Sequence, residues 1–189
     1  MLRSALLALL VVALVVVGCG GSATIPVEVP TTLASEHQRI TSPQVGASDL
    51  QDLVVGDTAF AFDLYQALRE QDGNLFFSPH SISIALAMTY AGARGLTEQE
   101  MAETLHYLLS QDRLHAAFNA LDQELAKRVQ GAAGKEGEAF RLNVVNALWG
   151  QKDYPFLAQY LDTLAENYGA GMNLVDFINA TEASRIAIN

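Results

Sequence analysis

The chain has 189 residues, half of them hydrophobic, with 11 basic and 21 acidic side chains that give a formal net charge of −10. That much apolar content with only 17% charged residues belongs to a folded chain and excludes general disorder. A nucleic-acid partner is excluded as well, because phosphate binding needs clustered cations and Lys127-Arg128 is the only adjacent basic pair.

Residues 1–19 read as a secretory signal rather than as part of a fold. Arg3 supplies a positive charge, "SALLALLVVALVVV" at 4–17 is almost wholly apolar, and "GCGGS" follows. The run is shorter than the roughly 20 apolar residues that a membrane-spanning helix needs. "VVGC" resembles the bacterial lipobox, whose cysteine becomes the lipid-modified first residue of the mature protein. That assigns Cys19 to lipidation; the alternatives are an ordinary signal peptide cut nearby or an uncleaved anchor. Cys19 is the only cysteine, so no internal disulfide can form. Buried acyl chains contribute roughly 0.8 kcal/mol per methylene, enough for several chains to hold a protein on a membrane surface. An extracytoplasmic, lipid-anchored protein is expected.

Residues 20–48 hold three of the five prolines and no sustained period, which predicts a flexible tether. The folded part is expected over residues 49–189 as one domain. From Asp49 to Gln71, Leu50, Leu53, Val54, Phe60, Leu64 and Leu68 lie at helical spacing. Asp72-Gly73-Asn74 is a turn, and Leu75-Phe76-Phe77 reads as a strand covered on both faces. Ser78 is placed as an N-cap with Pro79 at the first helical position, opening a helix over 79–91 that is apolar almost all round and stops at Gly92.

Thr97 and Glu100 then form a capping box, with Leu96 and Met101 spaced as a hydrophobic staple. A longer helix over 111–130 carries Leu114, Phe118, Leu121, Leu125 and Val129 on one stripe. Residues 131–138 read as a loop, 139–150 as a strand, 156–168 as a helix ending at Gly169, and 172–177 as a short strand. "NATEASRIAIN" opens a last helix at Asn179 or Thr181, with the sequon-like Asn179 read as a cap. That helix pattern is cut within about two turns, and the three strands lack hairpin partners, so their edges call for neighbours. The fold class expected is α+β, helix-rich and incomplete.

Chemistry-bearing constellations are few. His80 lies between Ser78 and Ser81, but serines that close on one helical turn do not aim a hydroxyl at the imidazole, and no oriented acid is evident. Capping serines beside a partly buried histidine are the simpler reading. His106 and His115 lack a partner at i+4, so no metal site is expected, and no Gly-rich phosphate loop or other cofactor motif exists.

One stretch carries more. "NLFFSPHSISIALAMTYAGARGLTEQEMAETL" at 74–105 closely resembles the N-F-F-S-P-x-S-I segment of serpins, with its following A-L-x-M and G-A-x-G-x-T. "LNVVNALWGQKDYPFLAQYLDTLAENYGAGMNLVDF" and "ATEASRIAIN" are similar to later serpin segments in the same order. The resemblance implies the N-terminal half of a serpin domain over 49–189, with strands of the central and second sheets. It places Ser78 and Ser81 at the shutter, where central strands part, and Asn74, Pro79, Gly92, Gly95 and Asn146 at structural positions.

Serpins inhibit proteases by a trap: a reactive loop near the C-terminus is cut and inserts into the central sheet as a new strand. The implied activity is inhibition of a serine or cysteine protease, not catalysis, with the reactive loop outside this chain. The alternative is a non-inhibitory, membrane-tethered binding or scaffold module.

Overall fold

The computed structural model describes residues 29–70, 72–129 and 144–189. Residues 1–19, Cys19 among them, lie outside the described residues, as do the loop expected at 131–138 and residues 139–143 of the expected strand.

The element order is β1 (Thr31–Leu33), α1 (Ala47–Leu68), α2 (Pro79–Tyr90), α3 (Leu96–Thr104), α4 (Gln111–Val129), β2 (Leu148–Gln151), α5 (Ala158–Tyr168), β3 (Met172–Val175) and α6 (Thr181–Ile188). The helix-rich α+β expectation holds.

α2 is the centre of the packing. Of its twelve residues only Thr89 is exposed, which accounts for a helix with apolar residues on nearly every side. Ile84, Ala87, Met88 and Tyr90 of α2 pack with Leu53 and Phe60 of α1, Leu114, Ala117 and Phe118 of α4, and Leu164 of α5. Side chains such as Met88 and Phe118, each 1% exposed, contribute roughly 1.5–3 kcal/mol apiece by leaving water. The connection between α3 and α4 is a wedge, with Leu105, Tyr107 and Leu109 buried and His106 at φ 55 between them.

β2 and β3 run parallel, Leu148 opposite Met172 through Gln151 opposite Val175, with α5 as the crossover that a parallel pair requires. β1 adds to the other side of β3, antiparallel, with Thr31 opposite Leu174 and Leu33 opposite Met172. The sheet order is therefore β1-β3-β2, and among the described residues β2 pairs on one side only.

Several expectations need correction. Residues 29–46 are not a free tether: β1 is a sheet strand, and the residues after it are hydrogen-bonded to α4 and α5. The reason is tertiary, because β3 would otherwise present an unpaired edge. Leu75-Phe76-Phe77 forms no strand; Phe76 is 100% exposed, with no neighbouring strand among the described residues to take its ladder groups.

α3 starts at Leu96, one residue ahead of the expected Thr97 cap, because Gly95 occupies the N-cap position at φ 63 and ψ −130. At that φ a side chain would be strained, and glycine is free of the penalty. The strands are also shorter than their sequence patterns. At α6 the residue before the helix is Ala180, and Asn179 instead turns its side chain to Asp176.

Candidate functional site

The start of α2 is built as the sequence predicts. The Ser78 Oγ accepts from the Ser81 backbone N–H at 3.3 Å and donates to the Ser81 Oγ at 3.0 Å, satisfying an N–H that the helix itself leaves unpaired. Pro79 follows at the first helical position, where its missing N–H costs nothing. Asn74 is exposed in the turn before this segment.

His80 has a partner that local sequence does not reveal. Its Nδ1 lies 2.8 Å from the Asp57 carboxylate of α1, with both side chains mostly buried, and its ring packs 6.3 Å from that of Phe118. An oriented acid is thus present, against the sequence-based expectation. The pair is not a nucleophile-activating set, because His80 Nε2 is buried and bonds to neither serine, while the two serine hydroxyls bond to each other. One turn further, the Tyr107 hydroxyl donates to the Ser83 carbonyl at 2.8 Å, and burial pushes the Tyr107 phenol far above its ordinary value.

Asn146 lies apart from the serines. It lines a groove of about 280 Å³ with the residues just ahead of β2, shared with Ile84 and Met88 of α2, Phe118 of α4, Thr32, Arg39 and Gly171. The structure therefore brings Asn146 to the later turns of α2, and Ser78 and Ser81 do not line that groove. Gly92 sits 3.4 Å, measured from where a Cβ would stand, from the Tyr160 ring of α5. Gly95 opens α3 at a positive φ with open space around it.

The remaining histidines bind no common ligand. His106 pairs with Asp63 at 2.7 Å, and His115 is buried against the Tyr168 hydroxyl at 2.6 Å. Among the described residues no cluster of three His, Cys, Asp or Glu side chains could hold a metal ion, and no helix is long and apolar enough to cross a membrane. What the arrangement offers is mechanical: a buried, capped helix beside a sheet whose outer strands, β1 and β2, each pair on one side only among the described residues.

Comparison with known proteins agrees with that shape. The family described as Serpin (serine protease inhibitor) matches residues 56–189. The chain is 39% identical over 142 residues to the leukocyte elastase inhibitor of Xenopus laevis, covering 74% of this chain and 36% of that protein. Leukocyte elastase inhibitor A of Mus musculus is likewise 39% identical, and the Homo sapiens leukocyte elastase inhibitor 37%. Among solved structures, a tumour-suppressing serpin superposes with a TM-score of 0.59 at 25% identity, covering 74% of this chain and 36% of that one. Maspin, at 22% identity and a TM-score of 0.59, shares the fold. The chain thus spans about a third of the length of the relatives it matches. With matched segments that include the capped α2, its neighbouring helices and the β2–α5–β3 unit, this chain belongs to the serpin family.

Proposed function

We propose that this chain is the N-terminal part of a serpin-type protease inhibitor, acting on a serine or cysteine protease and held outside the cytoplasm by a lipid on Cys19. The observation that carries the inhibitory reading is the match over residues 56–189 to a family of serine protease inhibitors. The geometry supports it: among the described residues β2 pairs on one side only, and an inserted strand gains its ladder hydrogen bonds at such an edge. Ser78 and Ser81 act by fixing the start of α2, on which the sheet rests. No enzymatic role is assigned to the His80–Asp57 pair.

Incubation with leukocyte elastase tests this reading. This chain alone should leave the protease fully active and form no SDS-stable adduct, whereas a polypeptide continuing through a reactive loop should form one. Failure of the longer polypeptide to trap any serine or cysteine protease would refute the inhibitory reading. The lipid anchor is tested separately: Cys19→Ala should move the protein from the membrane to the soluble fraction.

A second reading, a tethered non-inhibitory binding module, draws on the outward stripe of α1. Val55, Phe62 and Tyr65 are 53%, 64% and 46% exposed along one side of that helix, an apolar surface of the kind partners cover. Capture of a partner lost on Phe62→Ser, without protease trapping by any longer product, would favour it.

A further inference from the structure

Residues 31–40 are held by contacts that read like those of a bound peptide. Thr31–Leu33 pair with the outer edge of β3. Beyond them Ser35, His37 and Arg39 fall at alternate positions around a bend at Glu36, where the His37 N–H donates to the Ser35 Oγ at 3.0 Å. Each of the three side chains meets an acid. The Ser35 hydroxyl donates to Asp162 at 2.5 Å, His37 Nδ1 lies 2.7 Å from Glu166, and Arg39 Nη2 donates to Asp122 at 2.6 Å. The main chain is read too: the Ile40 N–H donates to the Glu166 carbonyl at 2.9 Å. The Ile40 carbonyl accepts from Asn119 Nδ2 and Gln123 Nε2, both at 2.8 Å.

The receiving surface is shaped for this. Asn119 is fully buried, and its amide is shared between the segment and the receiving helices: Oδ1 accepts from Arg39 Nε at 3.0 Å and from Gln123 Nε2 at 2.9 Å, while Nδ2 donates to the Ile40 carbonyl at 2.8 Å and the Glu166 carbonyl at 3.4 Å. A buried amide needs its partners supplied, and residues 39 and 40 supply part of them. Beneath the segment, side chains are missing where it passes closest. A Cβ at Gly171 would stand 2.9 Å from Thr32 Cγ2, 3.0 Å from the Leu33 carbonyl oxygen and 3.1 Å from Ala34 Cβ. One at Gly169 would stand 3.1 Å from Arg39 Cδ.

We propose that the seam formed by α4, α5 and the outer edge of β3 is a peptide-binding site whose resident ligand is residues 31–40 of the same chain. The ligand class is a segment that pairs as a strand at its start and then presents hydroxyl, imidazole and guanidinium side chains at alternate positions. Strand pairing supplies the main-chain recognition, three carboxylates and a buried amide supply the side-chain recognition, and Gly171 and Gly169 leave room for the backbone at Leu33 and for the Arg39 side chain. The covalent link through residues 41–46 is not required for docking, so the segment is exchangeable. This holds whether or not the inhibitory reading is right, because none of these contacts involves the free edge of β2.

The test uses the full chain with a site-specific protease sequence inserted after Pro43. After cutting, a fluorescein-labelled peptide of residues 29–41 should bind saturably by anisotropy as it replaces the resident segment. The Arg39→Ala peptide should bind on the order of tenfold or more weakly, since it loses hydrogen bonds made by a charged group. In the uncut chain, Gly171→Ala should speed amide exchange at residues 172–174 on the order of tenfold, with exchange in the core of α2 unchanged. The proposal is overturned if the cut chain keeps its helical circular dichroism but binds no peptide at high micromolar concentration. Loss of helicity on cutting that added peptide does not restore, or unchanged exchange in Gly171→Ala, overturns it equally.

Discussion

His115 gives the chain an acid-sensitive point whose size can be worked out. The imidazole is 2% exposed and makes one hydrogen bond, to the Tyr168 hydroxyl at 2.6 Å, with the Tyr168 ring edge-on at 5.7 Å. Protonation would place a charge in this apolar setting, where Nε2 is buried without a partner and both ring nitrogens would have to donate. Burial, aided by the Arg94 charge and opposed by Asp112, lowers the pKa from 6.5 to about 4. The unfolded chain takes up a proton near pH 6.5 that the folded chain refuses, so stability rises with pH between those two values and is lost as pH falls. At about 1.4 kcal/mol per pKa unit, the full loss is about 3 kcal/mol near pH 4, of which about 2 kcal/mol has gone by pH 5. That is a large share of the 5–15 kcal/mol typical of a folded domain. Urea midpoints at pH 7 and pH 5, compared between the native chain and His115→Met, isolate the effect from carboxylates common to both. The native chain should lose about 2 kcal/mol more than the variant over that interval. An equal pH dependence in the two proteins, or an NMR titration placing His115 near 6.5, would refute the reasoning.

Three more expectations follow from single contacts. Gly56→Ala would drive a Cβ onto the His106 carbonyl oxygen, backbone against backbone, so α1 must move off the α3–α4 connection. The overpacking cost, about 1–3 kcal/mol or more, should outweigh the roughly 1 kcal/mol that alanine gains over glycine within a helix, and thermal unfolding should show a net drop. Ser78→Ala removes the N-cap acceptor for Ser81 and should cost about 1 kcal/mol in urea denaturation, with Ser78→Asp largely restoring it. His37 sits above its ordinary value because of its hydrogen bond to Glu166 and then the Asp162 charge. Its stabilising effect is therefore full below 6.5 and lost as pH rises through the raised value. Glu166→Gln should return the His37 NMR titration towards 6.5; no change would remove that pairing.

How much could be read beforehand differs by the range of the interaction. The Ser78-Pro79 opening of α2, its burial and the left-handed Gly169 cap of α5 are local or periodic features, written within a few residues. β1 was hidden because "TTL" has no strand pattern of its own; it is a strand only because Met172–Leu174 lie opposite, some 140 residues on. Asp57 was missed as the partner of His80 for the same reason, since 23 residues and a helix crossing separate them. The reading of Leu75-Phe76-Phe77 as a covered strand rested on composition, but a strand needs a neighbour to supply its hydrogen bonds, and Phe76 stands fully exposed. At α3 the capping box lost to a rival start signal two residues earlier, the positive φ open to Gly95.

The three strands of the small sheet are unequally paired, and the pairing says which amides another strand could use. β3 has a neighbour on each side, β1 and β2, so its alternate N–H and C=O groups are used in both directions. Among the described residues β2 and β1 each pair only with β3, and the groove lined by Ile84, Met88 and Asn146 lies against residues 144–147, ahead of β2 in the chain. A strand arriving at the β2 edge would pair with Leu148–Gln151, whereas one arriving at β3 would first have to displace β1 and the contacts of Arg39. Hydrogen exchange reads this directly: amides of 172–175 should be protected throughout, while every second amide of 148–151 exchanges as freely as an exposed strand edge does. If all four amides of β2 prove protected in the isolated chain, that edge is already occupied, and a sheet open on the β2 side is the wrong description of this protein.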